Sequence, residues 1–459
     1  MTADSGEAPA SQSLLHALLR RAVVIRANEV RATIASFTFF FFVLSGYFVL
    51  RPIRDAVAAA SGVQQLPWLF AGTLVATLAF NPLFSALVVR YPARKFVPIS
   101  YQFFITNLLI FFVLMRFVSP GENSATDIWV GRVFFVWTSV LSFFCTSIFW
   151  CFMADVFRSE QAQRLFGFIG VGGTVGSIVG SSATAVFASR IGAVNLLLVS
   201  AALLQCGVIT VIRFPAVSWR VTGSQASSTD ATENEVIGGS VWAGVTSVLA
   251  SPYLLGIALF LILYSLGSTF LYFEQSDIVG RFYASRAERT AILAQLELAA
   301  QVLTIVTQVF FTGRIIRWIG LAATLSFLPL LSVLGFGTLG VLPAFTTLAV
   351  FTVLRRASNF SLTNPAMEVL FTVVPREDKY KAKSFIETFV YRGGDQISAW
   401  TYAGLTAIGL GLAGIAFFAV PVSAIWLVLG LWLGKRQVAL AARERTRELA
   451  QDVSLPIPT

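Results

Sequence analysis

The chain has 459 residues, 56% of them hydrophobic and 12% charged, against about 25% charged in a soluble protein. Folded as soluble domains it would expose large apolar patches, so lipid is the expected surroundings, and 42 Phe and 10 Trp fit that reading. A net charge of +10, from 33 Lys and Arg against 23 Asp and Glu, does not imply nucleic acid. No basic stripe with interleaved aromatics lies in a polar region, and membrane proteins collect Lys and Arg in cytoplasmic loops. One His (His16) and three Cys (Cys145, Cys151, Cys206) exclude most metal and His-dependent chemistry. No metal and no cofactor is expected, and the cysteines, in apolar runs at unrelated spacings, read as buried inert thiols.

The first long apolar run begins only after Arg31 and has no A-x-A-like site at its end, so it reads as a retained span and not a cleaved signal. Before it, Leu14, Leu15, Leu18 and Leu19 fall on one side of a helix and Arg20, Arg21 and Arg26 largely elsewhere, which predicts an amphipathic, basic tail over 1–31. Twelve apolar runs of helical length follow. Six lie near 32–57, 66–89, 97–116, 129–155, 165–188 and 193–212, and six near 252–276, 291–312, 321–341, 344–374, 383–407 and 411–434. Between them Arg213 to Trp242 carries a Ser/Thr/Asn-rich stretch, Gly223 to Glu235, without apolar periodicity.

The expected fold is therefore an all-α membrane protein of twelve transmembrane helices. It comprises an N-terminal six-helix half (32–212), a cytoplasmic linker (213–251), a C-terminal six-helix half (252–434) and a cytoplasmic tail (435–459). With both termini in the cytoplasm, 22 Lys and Arg fall inside and 6 outside, the bias that orients membrane proteins. The other five, Arg51, Arg54, Arg355, Arg356 and Arg392, sit in or at the ends of apolar runs.

Span one ends on Arg51, Arg54 and Asp55, and span seven on Glu274 and Asp277. Arg51 to Glu274 and Arg54 to Asp277 are each 223 residues apart. That matches the ~224-residue offset between the basic loops after spans two (Arg90 to Lys95) and eight (Gly313 to Gly320), a weak internal repeat. Opposite charges at corresponding places predict a gating pair, Arg51/Arg54 with Glu274/Asp277. Alternatively Asp55 satisfies an arginine locally and the rest are solvated anchors. Span five sets Gly172, Gly176 and Gly180 four apart, a stripe for close helix packing.

In span ten, Arg355 and Arg356 lie roughly 17 Å from its start at 1.5 Å per residue, near the middle of a ~30 Å core. A charge there costs roughly 2.5–3.5 kcal/mol on insertion scales, so it faces a partner, a bundle interior or water. They are candidates for binding an anion, one facing a cavity while the other pairs with an acid. The alternative is a buried pair with Glu368, Glu387 or Asp395. Asn359 and Asn364 can hydrogen-bond a sugar or base, Pro365 frees a backbone carbonyl, and Glu368 and Arg392 complete the candidate substrate residues. Span eleven places Glu387, Tyr391 and Asp395 on one helix face, either to carry protons or to neutralise an arginine, with an internal Arg392 to Asp395 pair as the alternative. Gly409 to Gly414 spells a dinucleotide fingerprint but follows no strand, and no Walker lysine motif occurs.

Two six-helix halves joined by a cytoplasmic linker resemble the major facilitator superfamily, in which the substrate site lies between the halves. Narrower motifs are Val49-Leu-Arg-Pro-Ile-Arg-Asp55, Phe149-Trp-Cys-Phe-Met-Ala-Asp155 through Gln161-Ala-Gln-Arg164, Tyr272-Phe-Glu274, and Asn364-Pro-Ala-Met-Glu368 through Lys379-Tyr-Lys-Ala-Lys383. These resemble the ATP/ADP antiporter family of plastids and intracellular bacteria. The resemblance implies exchange of nucleotides or related phosphorylated solutes. Where that family typically shows Asp-Pro-Thr-Lys-Glu, this chain has Asn364-Pro-Ala-Met-Glu368, and the lysine a turn after Glu274 is replaced by Ile278. The expected activity is secondary transport of a small anionic, phosphate-bearing metabolite by alternating access, not enzymatic catalysis. The expected setting is a bacterial inner membrane, with the bilayer as partner, no nucleic acid, and a monomeric protein. The rivals are a lipid or amphipathic drug transporter of the same fold and a non-transporting membrane scaffold.

Overall fold

The computed structural model describes residues 29–118, 124–157, 159–215, 248–310, 312–374 and 385–453, together with 246 and 382. The tail before 29, most of the linker, and the loop residues 375–381, 383 and 384, which carry part of the motif after span ten, lie outside the described residues. Described regular structure is entirely helical. In chain order the helices are α1 (Val30–Ser61), α2 (Leu66–Arg90), α3 (Ala93–Val113), α4 (Ala125–Val156), α5 (Ser159–Ile191) and α6 (Leu196–Ile212). They continue as α7 (Pro252–Phe282), α8 (Arg286–Phe310), α9 (Thr312–Val341), α10 (Phe345–Ser358), α11 (Asn364–Leu370), α12 (Tyr391–Ala407) and α13 (Leu412–Val453).

Among the described residues nine helices are long and apolar enough to cross a membrane. The expected count of twelve is higher for a structural reason. The run at 193–212 yields a helix of 17 residues, and the runs at 344–374 and 383–407 are broken by π-helical turns at Asn359–Thr363 and Ile386–Val390. Helix ends follow local chemistry. Ser285 and Glu288 form a reciprocal capping box at the start of α8, Ser285 N–H donating to Glu288 Oε2 at 3.3 Å and Glu288 N–H to Ser285 Oγ at 3.2 Å. In α9 a break at Gly320, with φ of 80°, uses the left-handed region open to glycine. Gly409, φ 89°, turns the chain between α12 and α13, so the fingerprint there is a helix connection.

The chain divides into two compact units that do not coincide with the sequence halves. One comprises Met1–Arg51, Leu78–Pro120 and Trp137–Asp230; the other Pro52–Thr77, Gly121–Val136 and Ala231–Thr459. Helices α1, α2 and α4 thus contribute a segment to each unit, and in α1 the boundary falls at Pro52, which cannot donate to the helix ladder.

In the first unit α1 and α5 pack backbone to backbone. A Cβ added at Gly172, Gly176 or Gly180 would lie 2.6, 2.3 and 2.4 Å from the carbonyl oxygens of Phe37, Phe41 and Ser45, so only glycine permits the approach. Ser45 Oγ donates to the Gly176 carbonyl at 3.0 Å across it. An aromatic cluster fills the other side of α1. Phe39 lies 5.5 Å from Tyr101 and 5.4 Å from Phe149, Phe40 stacks on Phe149 at 4.0 Å, and the Tyr101 hydroxyl donates to the Cys145 carbonyl. Cys145 is buried as expected, but Cys151 and Cys206 are exposed.

In the second unit α7 packs against α12 and α13, and α9 lies along α13, where Gly434 would place a Cβ 2.3 Å from Ala322 Cα. Ala58, Leu66, Leu69 and Phe135, from the segments 52–77 and 121–136, share a core with Phe270, Phe273, Phe336 and Tyr402.

Candidate functional site

In the second unit the π turn between α10 and α11 shapes a cavity. The Asn364 amide donates to the Asn359 carbonyl five residues back, so one extra residue shifts the helix phase. Ser361 still donates to the Ala357 carbonyl at 2.7 Å. Thr363, whose α-helical acceptor would have been the Asn359 carbonyl, has a buried Oγ1 without a hydrogen-bond partner. Asn359, Phe360, Thr363, Asn364, Pro365, Met367, Glu368 and Phe371 face Phe260, Leu261 and Tyr264 of α7 and Tyr391 of α12 across a cavity of about 620 Å³. That volume suits a small molecule. Among the described residues the lining contains no Lys, Arg or His.

Arg355, 3% exposed, does not line the cavity. Its Nη2 donates to the Tyr264 carbonyl at 3.1 Å, its guanidinium lies 5.3 Å from the Tyr264 ring centre, and its Nε has no hydrogen-bond partner. Gly267 makes the room, since a Cβ there would stand 3.1 Å from Arg355 Nη2. Arg356 pairs with Glu297 of α8, which also accepts from Gln301 Nε2 at 3.0 Å. The acid that Arg356 takes is Glu297, outside the three named from sequence. Asp395 of α12 accepts from Ser265 Oγ of α7 at 2.6 Å, and Arg392, three residues before it, is half-buried. Glu387 falls in the π turn Ile386–Val390, and its side chain lies outside the described residues.

A second polar group ties the segments 52–77 and 121–136 to the C-terminal helices. Asp55, 5% exposed, accepts from Arg54 Nε and Nη2 at 3.0 and 2.7 Å and from the Tyr272 hydroxyl at 3.0 Å. The Arg54 guanidinium lies over the Phe135 ring at 5.4 Å, and Arg51, in the first unit, lies 5.5 Å from the Phe48 ring. Asp127, near the start of α4, pairs with Arg286 at the start of α8, both buried. Glu274 is fully buried and neither carboxylate oxygen has a hydrogen-bond partner, while Asp277 takes Arg281 one turn on at 2.6 Å. Arg54 and Asp277 thus each take a local partner, as the alternative reading expected for an arginine beside Asp55. A partner one residue or one helical turn away needs less side-chain and backbone ordering than one 223 residues away.

Sequence reasoning passed over Glu297, Thr363, Tyr264 and the Asp127–Arg286 pair. Glu297 carried a signal, being an acid inside the apolar run 291–312, open to the same argument as Arg355. The other three have a role only through helix phase and long-range contact.

Spanning helices around an interior cavity, with their intramembrane charges paired or packed, define a membrane transport protein. Solved structures carry the same fold. The nucleoside transporter NupG superposes with a TM-score of 0.51 at 13% identity, covering 90% of this chain and 99% of that one. The inward-open xylose transporter XylE from E. coli gives 0.58 at 10% identity, covering 87% and 95%. Residues 119–340 match the model of the TLC ATP/ADP transporter family, which bears out the resemblance read from the motifs. ADP,ATP carrier protein 1 of Chlamydia pneumoniae is 21% identical over 502 aligned positions, 94% of this chain and 96% of that one. ADP,ATP carrier protein 2 of the same organism is 26% identical over 220, covering 42% of this chain and 41% of that one.

Proposed function

We propose that the chain exchanges nucleotides across a bacterial inner membrane by alternating access. In this reading twelve spans form two halves, 32–212 and 252–434, joined by the cytoplasmic linker 213–251, with both termini cytoplasmic and the transporter acting as a monomer. The observation that carries the reading is full-length similarity to proteins named ADP,ATP carriers, together with a cavity of small-molecule size among the C-terminal helices. Arg54, Asp55 and Tyr272, with the Asp127–Arg286 pair, act as the latch of a closed gate. Glu274, buried without a hydrogen bond, is the member of that region open to a new partner when the gate rearranges. Arg51 and Asp277 are further gating residues in this reading. Arg355, Arg356, Asn359, Asn364, Glu368 and Arg392 form or support the substrate site, and Glu387 and Asp395 lie beside it.

A second reading, transport of a lipid or amphipathic drug, draws support from the aromatic lining contributed by Phe260, Tyr264, Phe360, Phe371 and Tyr391. Purified protein in liposomes loaded with ADP decides between them. Saturable uptake of labelled ATP that depends on internal ADP is the expected result. Uptake indifferent to internal nucleotide, with competition by amphipathic cations, would overturn the nucleotide reading.

A further inference from the structure

We infer that Glu274 is a proton site of the outer gate. It holds one proton while the gate is closed and gives it to the outer water as the gate opens, so external pH sets the balance between the two states. The inference rests on the topology and gate proposed above, which place the end of α7 at the outer face, and not on which solute is carried.

Burial is the first argument. Glu274 is fully buried, and neither carboxylate oxygen has a hydrogen-bond partner. An ionised carboxylate there would lose its hydration and gain no donor or counter-ion in return, a far larger cost than burying the neutral acid. The described charged groups of this region are engaged elsewhere. On α7, Asp277 pairs with Arg281, whose side chain is 72% exposed. On α1, Arg54 pairs with Asp55, which also accepts from the Tyr272 hydroxyl. Arg286 of α8 pairs with Asp127 of α4, Arg289 donates to the Ala284 and Ser285 carbonyls, and Arg132 of α4 lies over the Trp129 ring. Tyr402 of α12 packs against Phe273, ring centres 5.0 Å apart, in a core to which α2, α9, α10 and α13 contribute apolar side chains. This arrangement accommodates Glu274 as the neutral acid.

The carboxyl also sits where the gate parts. Two residues before it, Tyr272 joins the Asp55 latch. Six residues after it, Gly280 meets α1 so closely that a Cβ would stand 2.7 Å from the Ala59 carbonyl oxygen, and Ala56, Ala59, Val279 and Leu293 form a small apolar core between α1, α7 and α8. Parting α1 from α7 breaks both contacts and admits water to the segment between them, in which Glu274 lies. A solvated glutamate ionises near pH ~4.3. Above that pH, opening releases one proton to the outer water and closing takes one back from it; none crosses the membrane. The closed state is the one that binds the proton, so lowering external pH favours it, by up to about tenfold per pH unit for a single site.

The test uses the full chain in right-side-out vesicles, with Cys145, Cys151 and Cys206 replaced by serine. Ala59→Cys reports the gate through labelling by a membrane-impermeant thiol reagent added outside. A cysteine placed in 121–124, read at the same pH, corrects for the reactivity of the thiol itself. Relative labelling at position 59 should fall several-fold as external pH drops from about 8 to about 6, and should not respond to internal pH. Glu274→Gln, permanently neutral, should hold the gate closed, with low labelling at every pH. Glu274→Asp, which keeps the acid, should keep the pH dependence and controls for folding. A wild type without pH dependence, a dependence that follows internal pH, or a Glu274→Gln variant that titrates like wild type would overturn the proton site. No labelling in 121–124 from outside would overturn the topology, and the inference with it. The readout involves no solute, so failure of the nucleotide reading would appear in the exchange assay alone.

Discussion

The α1–α5 interface allows one substitution to be made twice on one helix with opposite expected signs. At Gly176 a new Cβ would lie 2.3 Å from the Phe41 carbonyl oxygen and 3.0 Å from its carbon, both backbone atoms that cannot rotate away. Ordinary contact begins near 3.4 Å, so the helices must part by about 1 Å. Overpacking of this kind costs about 1–3 kcal/mol, and loss of the 3.0 Å bond from Ser45 to the Gly176 carbonyl adds roughly 0.5–1.5 kcal/mol. Helix propensity returns about 1 kcal/mol. At Gly170, six residues earlier on α5, a Cβ meets nothing within 4 Å, so Gly170→Ala keeps only the propensity gain. The two alanine variants should therefore differ by roughly 2–4 kcal/mol. Thermal unfolding of the detergent-purified protein should give Gly176→Ala a lower melting temperature than wild type, and Gly170→Ala an equal or higher one. Equal shifts in the same direction would refute the close approach of α1 and α5.

Arg356→Met or Glu297→Leu alone should lower stability by about 3–5 kcal/mol, the cost of breaking a buried pair, and the double variant should recover most of it; unfolding measured across the double-mutant cycle checks the coupling. For the latch, Asp127→Arg or Arg286→Asp alone should impair nucleotide exchange, and the two together should restore part of it; a double variant no better than the singles would remove the pair from gating. For topology, a membrane-impermeant thiol reagent added to intact cells should reach a cysteine placed in 121–124 and not one in 227–232. Labelling at the second position would overturn the span count.

Much of the architecture was legible because the bilayer imposes it on composition. Apolar runs of spanning length and the four-residue spacing of Gly172, Gly176 and Gly180 each express a constraint acting within one helix or at its surface. The depth of Arg355 and Arg356 marked them as residues in need of partners by the same reasoning. The breaks at Asn359–Thr363 and Ile386–Val390 were not legible, because hydrophobicity does not distinguish a π turn from an α turn.

Sequence alone determined that the chain is helical and lives in lipid, where its helices begin, and which charges lie too deep to stand alone; these depend on local hydropathy and spacing. Tertiary structure decided which partner each charge takes. Arg54 found Asp55 beside it, Asp127 found Arg286 from 159 residues away, and Arg356 found Glu297 from 59 away. It also decided that Arg355 faces Tyr264 while Thr363 faces the cavity. The reason is geometric: a hydrogen bond tolerates only a few tenths of an ångström, and helix phase and inter-helix distance at that precision are settled only when all the helices pack at once.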